Sequence, residues 1–171
     1  DLATPNPGMI ARQNLDQVRQ VGWRGVVAAH EACWTHRWHS SDVEIEGDPA
    51  AQIALRFALY HLNSAANPAD EQVSIGARAL TGDDYHGHVF WDTEIYLIPF
   101  YVFTWPEAAR SLLMYRFHTL DAARKKAAGM GWRGALYAWE SADTGEESTP
   151  ERLVAPDHRP MERVLGPQLG D

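Results

Sequence analysis

An all-α fold is what this 171-residue chain predicts, on three observations. Long segments carry apolar residues at helical spacing, cap-and-proline pairs stand just ahead of several of them, and glycines stand just past their ends. The segments are expected to pack as antiparallel hairpins, with short strands at most around the loops.

Residues 1–13, with Pro5, Pro7 and Gly8, read as an irregular lead-in or linker. From Asn14, a candidate N-cap, to about His39, Leu15, Val18, Val21, Val26, Ala29, Cys33 and Trp34 recur at helical intervals, while Gly22 and Gly25 weaken the middle. His36 and His39 could share one face of that helix, but no cysteine or carboxylate completes a zinc pattern around them. Ser40 to Asp48 is an extended or looping connection. Asp48-Pro49 is a strong helix start, a cap followed by proline at the first helical position. That helix should run to about Asn63. Ile53, Leu55, Phe57, Leu59, Tyr60 and Leu62 cover more than one of its faces, so it should be largely buried.

Asn67 to Gly87 is a long loop, and loops of that length are usually functional. Arg78 within it could fork toward sugar hydroxyls or a carboxylate, or be a solvated loop residue. Then comes an apolar run from Ile95 to Trp105, too short to span a membrane. If helical, its first turn is Asp92 to Ile95, and Pro99 kinks or ends it. Pro106, with Thr104 as a possible cap, opens a helix expected to continue to about Ala128. Its apolar stripe is Ala109, Leu112, Leu113, Phe117 and Leu120, and its basic residues, Lys125 and Lys126 among them, should form a solvated face. Gly129 and Gly131 end it. After Thr149-Pro150 a proline-rich tail carries little core.

Chemistry concentrates in two blocks. In His86-Gly87-His88-Val89-Phe90-Trp91-Asp92-Thr93-Glu94, aromatic faces, imidazoles and carboxylates meet where a loop enters a buried element, the mixture from which ligand pockets are built. The plainer alternative is a loop whose Asp92 or Thr93 merely caps a core helix. The second block, WRGALYAWESADTGEE (132–147), pairs Trp139 with Glu140 and then sets Asp143, Glu146 and Glu147 on a glycine-containing loop. Carboxylates beside indoles are one route to a raised pKa and to sugar binding, and a solvated acidic loop is the alternative. Seven tryptophans offer flat faces for sugar rings, or simply fill a core.

Composition bounds the function. At 45% hydrophobic and 22% charged, the chain is that of a globular protein. A net charge of -8 speaks against a general nucleic-acid surface. The single Cys33 cannot form an internal disulfide, which makes a reducing cytoplasm the expected compartment. The N-terminus has no basic region followed by an apolar one, so no signal peptide is expected.

The string HGHVFWDTEIYLIPFYVFTWPEAARSLLMYR (86–116) resembles the catalytic-domain signature of glycoside hydrolase family 65, whose members are phosphorylases of maltose, trehalose, kojibiose and nigerose with some hydrolases. DVEIEGDPAAQIALRFALYHL (42–62) and GALYAWESADTGEE (134–147) extend the likeness, in the right order, over about residues 25–155. The resemblance implies part, about half, of an (α/α)6 barrel, because a complete barrel needs about twice this length. Residues 14–171 would then be the N-terminal half of the catalytic domain.

The resemblance also implies inverting phosphorolysis of an α-glucosyl disaccharide to glucose 1-phosphate, with inorganic phosphate as co-substrate and no other cofactor. An α-glucoside hydrolase of the same family, or a non-catalytic chain that binds sugar or a partner, are the alternatives. The family's general acid, a Glu just before a His, is expected beyond residue 171, as is its phosphate site. What carries over is the Trp91-Asp92 pair, which in the family holds the glucose whose bond is cut, with the indole against the ring and the carboxylate on the hydroxyls. Glu94, His88, Trp139 and Glu140 are near-site candidates, and no metal is expected. The expected partner is the rest of the same enzyme, with a homodimer left open.

Overall fold

The computed structural model describes residues 6–82 and 84–149, with the backbone of 153–154 and 160–161. The chain forms two units, residues 1–42 and 43–171. The first is helix α1, Pro7–Ser41. The part of the expected lead-in that is described is therefore helical from Pro7 on. The Asn6 side chain accepts the Met9 amide at 3.1 Å, and Pro7 takes the first helical position. Proline there loses no hydrogen bond, so the residue that reads as a loop signal is a helix start. Gly22 (φ 71°, ψ 166°) interrupts α1, which is two helices joined at a kink. The ladder breaks at the glycine because φ > 0 costs it nothing.

The second unit starts with α2 (Pro49–Ala65), α3 (Ile98–Thr104), α4 (Pro106–His118) and α5 (Leu120–Gly129). Two antiparallel strand pairs of two residues each accompany them. One joins β1 (Val89–Phe90) to β2 (Glu140–Ser141), the other β3 (Leu153–Val154) to β4 (Pro160–Met161). The all-α class holds. The tail beyond Thr149 lies outside the described residues except for β3 and β4.

Asp48 Oδ1 accepts the Ala51 amide at 3.0 Å, starting α2 at the expected place. The Gln52 side chain holds the preceding connection, donating to the Val43 carbonyl and accepting from the Ile45 amide. The expectation that α2 is largely buried is not met. Leu59 and Asn63 are buried, whereas Ile53 (71% exposed), Phe57 (65%) and Tyr60 are exposed. One face of the helix packs within its unit, and Ile53 and Phe57 on the other are exposed.

The core lies between α3, α4 and the loop after α2: Ile75, Ile98, Tyr101, Ala108, Ala109 and Leu112. Alanines at the start of α4 let α3 approach closely. The Tyr101 ring is fully buried, and its hydroxyl donates to the Leu62 carbonyl at 2.7 Å, satisfying a last-turn acceptor of α2. Burial pushes its phenol well above the ordinary range. Ser111 Oγ, on α4, donates to the Asp70 carbonyl and pins the loop down.

The single helix expected from Pro106 to about Ala128 is two. Thr119 (φ -95°, ψ 9°) separates α4 from α5, and its hydroxyl donates back to the Tyr115 carbonyl at 3.0 Å. Gly145 packs against this break so closely that an added Cβ would stand 2.4 Å from Thr119 Cβ. Nor does Thr104 cap α4; Trp105 holds the cap position, and Thr104 Oγ1 donates to the Phe100 carbonyl. At the end of α5, the Trp132 amide reaches the Ala127 carbonyl and the Gly131 amide the Ala128 carbonyl, with Gly131 at φ 81°. This is the paired closure that favours glycine after a helix.

Candidate functional site

One cross-strand line organises the site. Gly76 bridges Val89, Val89 pairs with Ser141, and Ser141 bridges Glu147. Three segments distant in sequence, the loop after α2, the aromatic junction and the acidic loop, thereby share one small sheet. Position alternation along β1 sends Val89 into the core (6% exposed) and leaves His88 and Phe90 on the other face.

Beyond β1 the chain does not enter an α-helix directly. Thr93–Leu97 forms a π-helical turn, and α3 begins only at Ile98, with Pro99 in its first turn. Pro99 therefore does not end α3; it stands where the wide turn passes into α-helix, and with no amide it cannot extend the ladder in which Ile98 donates to the Thr93 carbonyl. Wide turns of this kind are frequent at functional sites, since they rotate side chains away from the regular helical pattern. Ahead of β1, Tyr85 (φ 64°) and His86 (φ 55°) are both left-handed, an arrangement that costs L-residues roughly 1–2 kcal/mol each. It lays the Tyr85 ring edge-on to Phe90, with centroids 5.4 Å apart.

The sheet brings most of the expected site residues together. The Trp91 and Trp139 rings meet edge to face, with centroids 4.6 Å apart and planes at 79°, and Phe90 meets Trp139 at 6.0 Å. His88 Nδ1 lies 2.7 Å from Glu140 Oε1 in a largely buried hydrogen-bonding contact. Two hollows flank the Trp91-Asp92 peptide. The first, of about 430 Å³, is lined by Asp92, Phe90, Trp139, Tyr85 and residues of the Ile75–Ala79 loop among others. Asp92 lines it, and its Oδ2 is buried with no hydrogen-bond partner among the described residues. The second, of about 470 Å³, is lined by Trp91, Glu94, Arg116 and Tyr137 among others. Trp91 and Asp92 thus face different hollows, and Trp139 is the indole that shares a wall with Asp92.

Glu94 is not free for a ligand. Arg116 grips both its oxygens, Nε to Oε1 and Nη2 to Oε2, each at 2.8 Å. Arg78 pairs with Asp84 at 2.9 Å in an exposed contact, as a loop residue.

Three residues outside the expected site set support the site. Arg116 is one. Lys126 is another; expected on a solvated face, it is nearly buried and lies 2.8 Å from Glu147 Oε2. Glu147 is the third. Its carboxylate faces the backbone amides of Trp139 and Glu140 at 3.3 and 3.4 Å and accepts from Thr149 Oγ1. Burial alone would raise its pKa. Hydrogen bonds from Lys126, Thr149 and the Glu140 amide, with the Lys126 charge, outweigh that and hold the carboxyl below its ordinary value. The acidic loop thus clamps the Trp139-Glu140 strand. The signal was present as an acid-rich loop, but its cation lies 21 residues back on α5.

The sequence profile of the glycosyl hydrolase family 65 central catalytic domain matches residues 56–162. The chain is 49% identical over 141 residues to a kojibiose phosphorylase of Halothermothrix orenii, covering 82% of this chain and 18% of that protein. It is 48% identical over 121 residues to a kojibiose hydrolase of Flavobacterium johnsoniae, covering 71% of this chain and 18% of that protein. A solved structure described as a candidate kojibiose phosphorylase from the human microbiome superposes with a TM-score of 0.74 at 32% identity, covering 81% of this chain and 18% of that one. The chain therefore spans less than a fifth of the length of each of these relatives.

Proposed function

The chain belongs to glycosyl hydrolase family 65, and from that premise we propose that it supplies the glucosyl-holding wall of an inverting α-glucoside phosphorylase. Its helices are those of part of an (α/α)6 barrel. The observation that carries the reading is the Asp92 carboxylate, which lines a hollow walled by Trp139 and Phe90 and has one buried oxygen without a hydrogen-bond partner among the described residues. A buried acceptor left without a donor is costly, and sugar hydroxyls are donors of the right kind. The flat apolar face of a glucosyl ring matches the aromatic wall.

In this reading, Asp92 accepts from hydroxyls of the glucose whose bond is cut. Phosphate, as co-substrate, attacks the anomeric carbon while an acid protonates the leaving oxygen. Kojibiose-type disaccharides are the first substrates to try, because relatives named for kojibiose stand at 46–57% identity. The kojibiose hydrolase among them favours one second reading, hydrolysis, in which water replaces phosphate. Incubation of the complete enzyme with kojibiose and phosphate separates the two, since phosphorolysis releases glucose 1-phosphate and hydrolysis releases only glucose.

The test of the site is Asp92→Asn in that enzyme. Hydrogen bonds to a charged acceptor contribute about 1.5–3 kcal/mol each. Losing two should lower kcat/KM by roughly 10²-fold or more. Circular dichroism and melting should stay near wild type. Full retained activity, or loss only through unfolding, would make Asp92 structural.

A further inference from the structure

Arg116 sits in the last turn of α4 and is 6% exposed. Its guanidinium lies 5.2 Å from the centroid of the Tyr115 ring and 5.6 Å from that of Tyr137. Its fork closes on both oxygens of Glu94, in the first turn of the π-helical segment and two positions past Asp92. Its backbone carbonyl accepts the Tyr137 hydroxyl at 3.0 Å, and the neighbouring Tyr115 hydroxyl donates to the Ala142 carbonyl at 2.6 Å. One turn of α4 thus holds the segment of Trp91 and Asp92 on one side and the strand of Trp139 and Glu140 on the other.

We propose that Arg116 and Glu94 are positioning residues for the glucosyl site: their forked ion pair fixes the wide turn and so sets where the Asp92 carboxylate stands relative to Trp139. The inference rests on the glucosyl reading of Asp92. Two features argue for positioning rather than ligand binding. The Glu94 oxygens are both taken, and the pair ties the wide turn to α4, 22 residues further along the sequence. A planar guanidinium between rings, with two parallel bonds, holds direction as well as distance. A π turn is a local departure from the α-helical ladder, and the forked pair ties that departure to α4. A misplacement of about 1 Å at a reacting group can cost about 10²-fold in rate.

The experiment uses the complete enzyme, with kojibiose and inorganic phosphate as probes, and compares Arg116→Lys, Glu94→Gln and Asp92→Asn. Lysine keeps the charge but cannot fork, so Arg116→Lys should not rescue function. Both pair variants should lower kcat/KM for kojibiose by about 10-fold or more, per folded molecule, with the KM for phosphate unchanged. A purely stabilising role would reduce the folded fraction and leave the kinetics of the folded molecules as in wild type. If Asp92→Asn is impaired while both pair variants match wild type per folded molecule, positioning is overturned and the glucosyl reading stands. If Asp92→Asn is itself fully active, the glucosyl reading falls, and the positioning proposal with it.

Discussion

Asp92 and Glu94 are two carboxylates two positions apart, and their surroundings give them opposite roles. Glu94 is held by a guanidinium, while Asp92 has a buried oxygen with no partner among the described residues. Their sequence environment, aromatic and apolar on both sides, was legible as a site. Which carboxylate was spoken for was not, because the deciding cation, Arg116, comes from another helix. Trp91 illustrates the same limit. Trp91 and Asp92 line different hollows, and the indole that shares a wall with Asp92 is Trp139, next to the partner strand. Trp139→Ala in the complete enzyme is accordingly expected to lower kcat/KM for kojibiose at least as much as Trp91→Ala, by steady-state kinetics. Glu147 carries a pH prediction. A carboxyl held below its ordinary value of 4.5 contributes stability that is fully present above that value and is lost as pH falls through the lower folded value. Glu147→Gln should therefore lower the melting temperature at neutral pH, and the gap to wild type should close as the solution is acidified below about 4.5. A gap that stays constant across that window would refute the assignment.

At the level of elements, starts were easier to read than interruptions. Asp48-Pro49 and Pro106 announce helices by local chemistry, since a side-chain cap or a proline needs only its immediate neighbours. Pro7 does the same, but its nearness to Pro5 and Gly8 makes it read as a loop. The break at Thr119 has no comparable local signal. Threonine is tolerated within helices, and what accompanies the break is the Gly145 loop packed against it. Gly145 has φ 72°, and a methyl group there would collide with Thr119. Gly145→Ala is expected to destabilise the enzyme by about 2 kcal/mol or more, from the left-handed backbone and the clash together, read as a shift of the denaturant midpoint. Tyr101→Phe should cost about 1 kcal/mol by removing the bond that closes α2, while leaving kcat/KM for kojibiose unchanged.

Over the whole molecule, the second unit presents Phe57, Tyr96, Phe103, Leu113 and Phe117 at its surface, from α2, the wide turn, α3 and α4. Apolar area on that scale marks surfaces made to be covered. Residues 1–171 produced alone should bind a hydrophobic dye and self-associate in sedimentation, and a dye-silent monomer would contradict this. The all-α class was legible because periodicity is local, but the extent of this exposure was not, because an apolar stripe looks the same whether or not something lies on it. The small sheet at the centre of the site has a consequence for how the protein folds. Its two strands are brought together across 52 residues, as the pairing of His88 with Glu140 measures. Helices α3 to α5 lie between them and can form from short-range contacts, whereas the strands must wait for that long loop to close, with its entropy lost first. The binding site should therefore be the last part of the unit to assemble and the first to open. Amides of β1 and β2 should exchange with solvent through smaller openings than those of α4, so the unit would keep its helices in conditions where it has already lost its ligand site.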